Sequence, residues 1–162
     1  VPSKSLENLI EALQNGEDPD QAIKRFEVGA GPANLKAEAP AIERCFGVES
    51  LRDVIAQLEE QNGDWSRKSI NLIRCMCPFS LALSFKNIQY ATGRSLEECL
   101  ITDFRLALSL MDRDDYFEGA RAILIDKDRR PRWNPKTIEA VDPKEIDDCF
   151  APLDIEDLAF DR

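Results

Sequence analysis

Apolar positions recur at helical spacing along most of the chain. Leu6, Leu9, Ile10 and Leu13 fall at i, i+3, i+4 and i+7 between Ser3 and Asn15, which predicts a helix with one apolar face. Gly16 supplies its stop, and Asp18-Pro19 opens a short second helix with Ala22, Ile23 and Phe26 on its inner side. Gly29-Ala30-Gly31-Pro32 ends that helix, and the stretch to Pro40 reads as a loop. Short helices then follow in close order. One runs from Ala41 to Phe46. The next is capped by Ser50, carries Leu51, Val54, Ile55 and Leu58, and closes at Asn62-Gly63. Another runs from Asp64 through Ile70, Leu72 and Ile73 towards Cys75.

Pro78 marks a fresh start, with Leu81, Phe85 and Ile88 leading to Thr92-Gly93. Ser95 and Glu98 form a capping-box pair at the head of the longest helix, whose stripe is Leu96, Leu100, Phe104, Leu108 and Met111. After the turn at Asp112–Asp115, a helix from Tyr116 to about Ile125 presents Phe117, Ala120 and Leu124. Periodicity then fades into an extended loop. Two short acidic segments end the chain, with Ile146, Phe150, Leu153, Ile155 and Leu158 as expected anchors. There is no alternating strand pattern and no internal repeat. The expected fold class is all-α, a packed array of short helices.

Composition narrows the picture. With 43% hydrophobic and 32% charged residues, the chain can build a core. No apolar run approaches the about 20 residues that span a bilayer. A net charge of −10 disfavours nucleic acid and anionic lipid as partners. Five cysteines without regular spacing make a poor disulfide framework and point to bacterial cytoplasm or mitochondrial matrix rather than secretion. The chain starts at Val1 rather than Met, with no leader pattern, so a continuation upstream is expected.

Candidate chemistry is sparse. The absence of histidine removes most hydrolytic triads and most zinc sites. Cys75-Met76-Cys77 lacks the spacing and the second pair of a metal site. Asp112, Asp114 and Asp115 lack the ligand pattern of a calcium loop and read as a solvated turn. Glu97 and Glu98 are adjacent on a helix and point apart. No catalytic residue and no metal ligand is therefore assigned, and no cofactor is called for. One feature stands out: Lys127, Arg129, Arg130 and Arg132 place four cations within six residues of an acidic chain. Such a cluster suits a phosphate, a partner's carboxylates, or this protein's own acids, beginning with Asp126 and Asp128. Trp133 beside it is expected to pack.

The run Asp115-Tyr116-Phe117-Glu118-Gly119-Ala120-Arg121-Ala122-Ile123-Leu124-Ile125-Asp126-Lys127-Asp128, with Arg130-Pro131-Arg132-Trp133-Asn134-Pro135 after it, resembles the C-terminal signature of 3-hydroxyisobutyryl-CoA hydrolases of the crotonase (enoyl-CoA hydratase/isomerase) superfamily. Met76-Cys77-Pro78-Phe79-Ser80-Leu81 resembles that family's Ser-Pro-Thr-Ser-Leu-Lys segment, though Cys77, Phe79 and Ala82 stand where relatives often carry Ser, Thr and Lys. The resemblance divides the chain into a helical segment, 1–74, a closely matching stretch, 75–135, that would cover the coenzyme A site, and an acidic extension, 136–162.

The resemblance implies the helical portion of a crotonase-fold enzyme lacking its β/β/α core, the part that holds the oxyanion amides and catalytic carboxylates. It implies a parent enzyme that hydrolyses 3-hydroxyisobutyryl-CoA in valine breakdown, acts as a homo-oligomer and needs no cofactor beyond the coenzyme A moiety of its substrate. This chain alone is expected to be inactive, reaching the acyl-CoA substrate only through the missing core. Lys127 matches a family lysine near the coenzyme A nucleotide, so Lys127, Arg129 and Arg130 are the candidate phosphate contacts. Two alternatives stay open: a hydratase or isomerase fragment, and a non-catalytic helical assembly module. The Arg130–Pro135 extension favours the hydrolase branch.

Overall fold

A computed structural model of the chain describes residues 1–29, 31, 33 and 35–160. Among them every regular element is helical. The chain divides into two compact units, Val1–Ala39 and Pro40–Arg162.

In the first unit a 3-10 turn at Ser3–Ser5 leads into α1, Leu6–Gln14, and α2 follows at Pro19–Phe26. Asp18 caps α2, its Oδ1 accepting from Gln21 N at 3.1 Å, and Pro19 takes the first helical position, where no N–H is needed. The buried contacts are small: Ala12 and Ala22. Leu6, Ile10, Leu13 and Ile23, expected on the inner faces, are exposed. The predicted irregular stretch around Ala30 and Pro32 falls partly outside the described residues.

The second unit holds two clusters of buried side chains. The first joins α3, Ala39–Phe46, α4, Leu51–Gln61, and α5, Asp64–Cys75, through Cys45, Val54, Leu58 and Ile70. Ser50 Oγ accepts from Asp53 N at 3.1 Å to start α4. Asn62, left-handed at φ 47°, ends it, a conformation asparagine tolerates better than most residues. The second cluster joins α6, Pro78–Ala91, α7, Leu96–Met111, and α9, Pro143–Asp148, through Phe79, Leu83, Leu106 and Ile146. The Ser95–Glu98 capping box is present in both directions, at 2.8 and 3.2 Å.

Several predicted faces are not the buried ones. In α7 the buried positions are Thr102 and Leu106, while Leu96, Leu100 and Met111 are exposed. In α6 Phe79 and Leu83 are buried and Ile88 is exposed; Leu72 of α5 is exposed as well. Of the expected C-terminal anchors, Ile146 is buried and Ile155 and Leu158 are exposed. An ion pair holds that tail instead: Arg105 Nε and Nη2 donate to the two oxygens of Asp157 at 2.8 and 2.5 Å. Periodicity finds an apolar face, but only a neighbouring element makes it an inner one.

Candidate functional site

The signature run folds as one supersecondary unit. Asp114–Ala120 is a regular helix, α8, and Arg121–Ile125 continues as a single π turn, closed by Asp126 N donating to Arg121 O at 2.8 Å. Such turns widen the helix and change which way its end points. The chain then folds back along the helix it has left. Lys127 and Arg129 adopt left-handed φ angles of 56° and 55°, and Arg129 N reaches Ala122 O at 3.0 Å.

One guanidinium holds this return. Arg121 Nε and Nη2 donate to the two oxygens of Glu118 at 2.8 and 2.9 Å. Its Nη1 donates to Asp126 Oδ2 at 2.5 Å and to Asp128 Oδ2 at 2.8 Å. Its Nη2 also reaches Arg130 O at 3.3 Å. The acids reach back to the backbone in turn. Glu118 Oε1 accepts from Arg132 N at 2.7 Å, and Asp128 Oδ1 from Arg130 N at 2.8 Å.

Two further ties set the loop's far end. Trp133 packs against the α6–α7–α9 cluster and donates from Nε1 to Cys75 O at 3.3 Å. Its ring lies over Gly119, where an added Cβ would meet Cη2 at 3.3 Å. Glycine is what lets the indole sit that close to α8. Asp115, expected in a solvated turn, is half-buried: Oδ1 accepts from Asn134 N at 2.8 Å and Oδ2 from Cys77 Sγ at 3.4 Å.

Lys127, Arg129 and Arg130 are exposed on this loop, and among the described residues none of the three makes an ion pair. Both acids nearest them in sequence, Asp126 and Asp128, are committed to Arg121. The loop's three cations are thus unpaired among the described residues, while its two acids, themselves solvent-exposed, are bonded to Arg121. Spacing did not single out Arg121. Its trace in the sequence is an arginine with acids three before, five after and seven after, and this becomes meaningful only once the chain doubles back.

The hydrogen bonds from Arg121, and then from Arg132 N, pull the Glu118 carboxyl down to about 2. Asp128 is held low by Arg121 and by the amide of Arg130. A carboxyl with a depressed folded pKa gives stabilisation that is complete above its unfolded value and lost as pH falls towards the folded one. The loop is thus expected to stay pinned at pH 5 and to release as pH drops from about 4.5 towards 2. Trp133 fluorescence in a Trp65→Phe background should report this. A flat signal through that window would contradict it.

The chain has no histidine, and among the described residues no three His, Cys, Asp or Glu side chains are grouped to hold a metal ion. An apolar groove of about 490 Å³ between α4, α6 and α9 carries Lys86 and Asp147, but these pair with each other. Among the described residues no helix is long and apolar enough to cross a membrane.

The sequence matches the family model of enoyl-CoA hydratase/isomerase over residues 1–150. It is 35% identical over 127 residues to a mitochondrial 3-hydroxyisobutyryl-CoA hydrolase of Danio rerio, a match covering 78% of this chain and 33% of that protein. Its fold superposes on an enoyl-CoA hydratase from Rhodobacter sphaeroides 2.4.1 with a TM-score of 0.83 at 29% identity, covering 99% of this chain and 46% of the other. A carnitinyl-CoA dehydratase from Mycobacterium thermoresistibile gives a TM-score of 0.86 at 24% identity, covering 96% and 45%, a likeness of fold. The chain thus spans about a third of that curated relative and under half of each solved structure.

Proposed function

The chain belongs to the enoyl-CoA hydratase/isomerase family, and on that premise we propose that it is the helical C-terminal portion of a thioester hydrolase acting on 3-hydroxyisobutyryl-CoA in valine breakdown. The observation that carries this reading is the loop at Lys127–Arg130. It presents three cations whose neighbouring acids are already occupied, and coenzyme A offers phosphoryl groups as the matching anions. The loop contacts those phosphates. The remainder of the family fold supplies the chemistry: backbone amides polarise the thioester carbonyl, and a carboxylate handles the proton or the acyl group.

The exposed apolar faces support the second half of the reading. Leu96, Leu100, Met111, Phe117, Ile123 and Leu124 are large apolar side chains left exposed, the kind of surface that marks an interaction site where it is contiguous. In this reading they cover the acyl-CoA site and pack on the core or on a second subunit of a homo-oligomer. The protein works in the mitochondrial matrix or a bacterial cytoplasm and needs no cofactor apart from the coenzyme A moiety of its substrate. The likeness to an enoyl-CoA hydratase keeps that activity as the runner-up.

The test compares residues 1–162 with the full-length gene product. The full-length protein should release coenzyme A from 3-hydroxyisobutyryl-CoA, and residues 1–162 alone should not. Hydration of an enoyl-CoA without thioester cleavage would select the runner-up, and release of coenzyme A by residues 1–162 alone would sink the division of labour. In the full-length protein, Lys127→Ala with Arg129→Ala should weaken coenzyme A binding by about tenfold for each lost contact. Unchanged product inhibition by coenzyme A would remove the loop from the site.

A further inference from the structure

The loop as sequence is only half cationic: Asp126 and Asp128 alternate with Lys127 and Arg129. Four residues carrying alternating charge would ordinarily neutralise one another and attract a phosphate weakly. In the structure one residue outside the loop hydrogen-bonds both acids, although Asp128 also accepts from the amide of Arg130. Arg121 bonds Asp126 and Asp128 through the same Nη1, grips Glu118 with the other edge of its fork, and meets Arg130 O. Glu118 then holds Arg132 N, so the loop is fixed at its beginning, middle and end. A planar guanidinium can do this and an ammonium cannot: the arrangement needs several donors in one rigid plane. Arg121 itself is only 29% exposed and is turned towards carboxylates, so it is not one of the cations offered outward.

We propose that Arg121 is the positioning residue of this site: it draws Asp126 and Asp128 towards itself and away from Lys127, Arg129 and Arg130, so that a loop whose charges would otherwise partly cancel offers more of its positive charge to a phosphate ligand. This rests on the phosphate-binding reading above. Arg121 acts through the loop and touches no ligand. The charge separation has two consequences that a purely structural residue would not share. Loss of Arg121 harms recognition of phosphate but not of the uncharged arm of the ligand. Removing the released acids as well makes Arg121 largely dispensable.

The experiment uses the full-length protein, with coenzyme A and pantetheine as probes with and without phosphate, in titration calorimetry. Arg121→Met should weaken coenzyme A binding about tenfold and leave pantetheine unaffected. Arg121→Lys, which keeps the charge but not the fork, should fall between the two. Adding Asp126→Asn and Asp128→Asn to Arg121→Met should recover most of the lost affinity. Asp126→Asn with Asp128→Asn alone, which leaves Arg121 and the helix intact, should bind coenzyme A at least as tightly as the unaltered protein. The proposal is overturned if Arg121→Met binds coenzyme A within twofold of the unaltered protein while Lys127→Ala/Arg129→Ala is weakened. It is overturned equally if the triple variant stays as weak as Arg121→Met, which would make Arg121 a fold residue only. If Lys127→Ala/Arg129→Ala keeps full affinity, the phosphate reading itself fails and takes this proposal with it.

Discussion

Replacing Phe79 by alanine is expected to lower the unfolding free energy by about 3–5 kcal/mol, the largest single-residue effect in the chain. Phe79 is 1% exposed and sits where α6 meets α7 and α9, among Leu83, Leu106 and Ile146. It also carries the guanidinium of Arg113, whose Cζ lies 3.5 Å from the ring centroid. Arg113 Nε is buried and has no hydrogen-bond partner among the described residues, while Nη1 meets Glu145 at 3.1 Å. Removing the ring opens a cavity and strips a partly buried cation of its stacking surface. The two losses fall on the same spot. Urea unfolding of residues 1–162 would measure it. A loss below about 1 kcal/mol would mean that the α6–α7–α9 cluster repacks freely. Phe79→Leu, which keeps most of the volume, should cost under about 1.5 kcal/mol.

Phe117→Glu and Leu124→Glu are expected to behave in opposite ways in two contexts. In residues 1–162 both side chains stand in solvent, 63% and 69% exposed, and each change should stay within about 0.5 kcal/mol. In a longer protein whose core these faces cover, as proposed above, each carboxylate would enter an apolar interface without a partner, at about 3 kcal/mol or more. Subunit assembly should suffer with it. The comparison separates a helical unit that covers a core from one that stands alone. Equal tolerance in both contexts would discard the covering role. An exposed and a buried carboxylate differ by more than the whole scatter of ordinary surface substitutions.

Some of this was legible in the order of residues alone. Ser50 and the Ser95–Glu98 pair are legible as caps, and Asp18-Pro19 as a helix start, because a cap is a local object. Its donor and acceptor lie three residues apart, and nothing distant changes their geometry. The helical class follows for the same reason, from spacing within one or two turns. The faces did not follow. Leu96, Leu100 and Met111 have helical periodicity as clean as any in the chain, yet the helix buries Leu106 and Thr102. Periodicity records that a surface is apolar, and what covers it depends on elements elsewhere.

The basic loop shows the same division at finer scale. Sequence alone located Lys127, Arg129 and Arg130 as an anomaly in an acidic chain, and the resemblance gave them a ligand class. Whether their charge is available was undecidable at that level, because Asp126 and Asp128 stand beside them and could cancel them. The π turn and the reversal after it bring Glu118, Asp126 and Asp128 onto one guanidinium, a grouping that spacing alone does not show. What the order of residues determined by itself is thus helical class, caps and the inventory of charges. Which apolar faces are covered, and which charges pair inside the molecule, depended on tertiary structure. Burial and ion pairing are set by distances between groups that are neighbours only after the chain has folded.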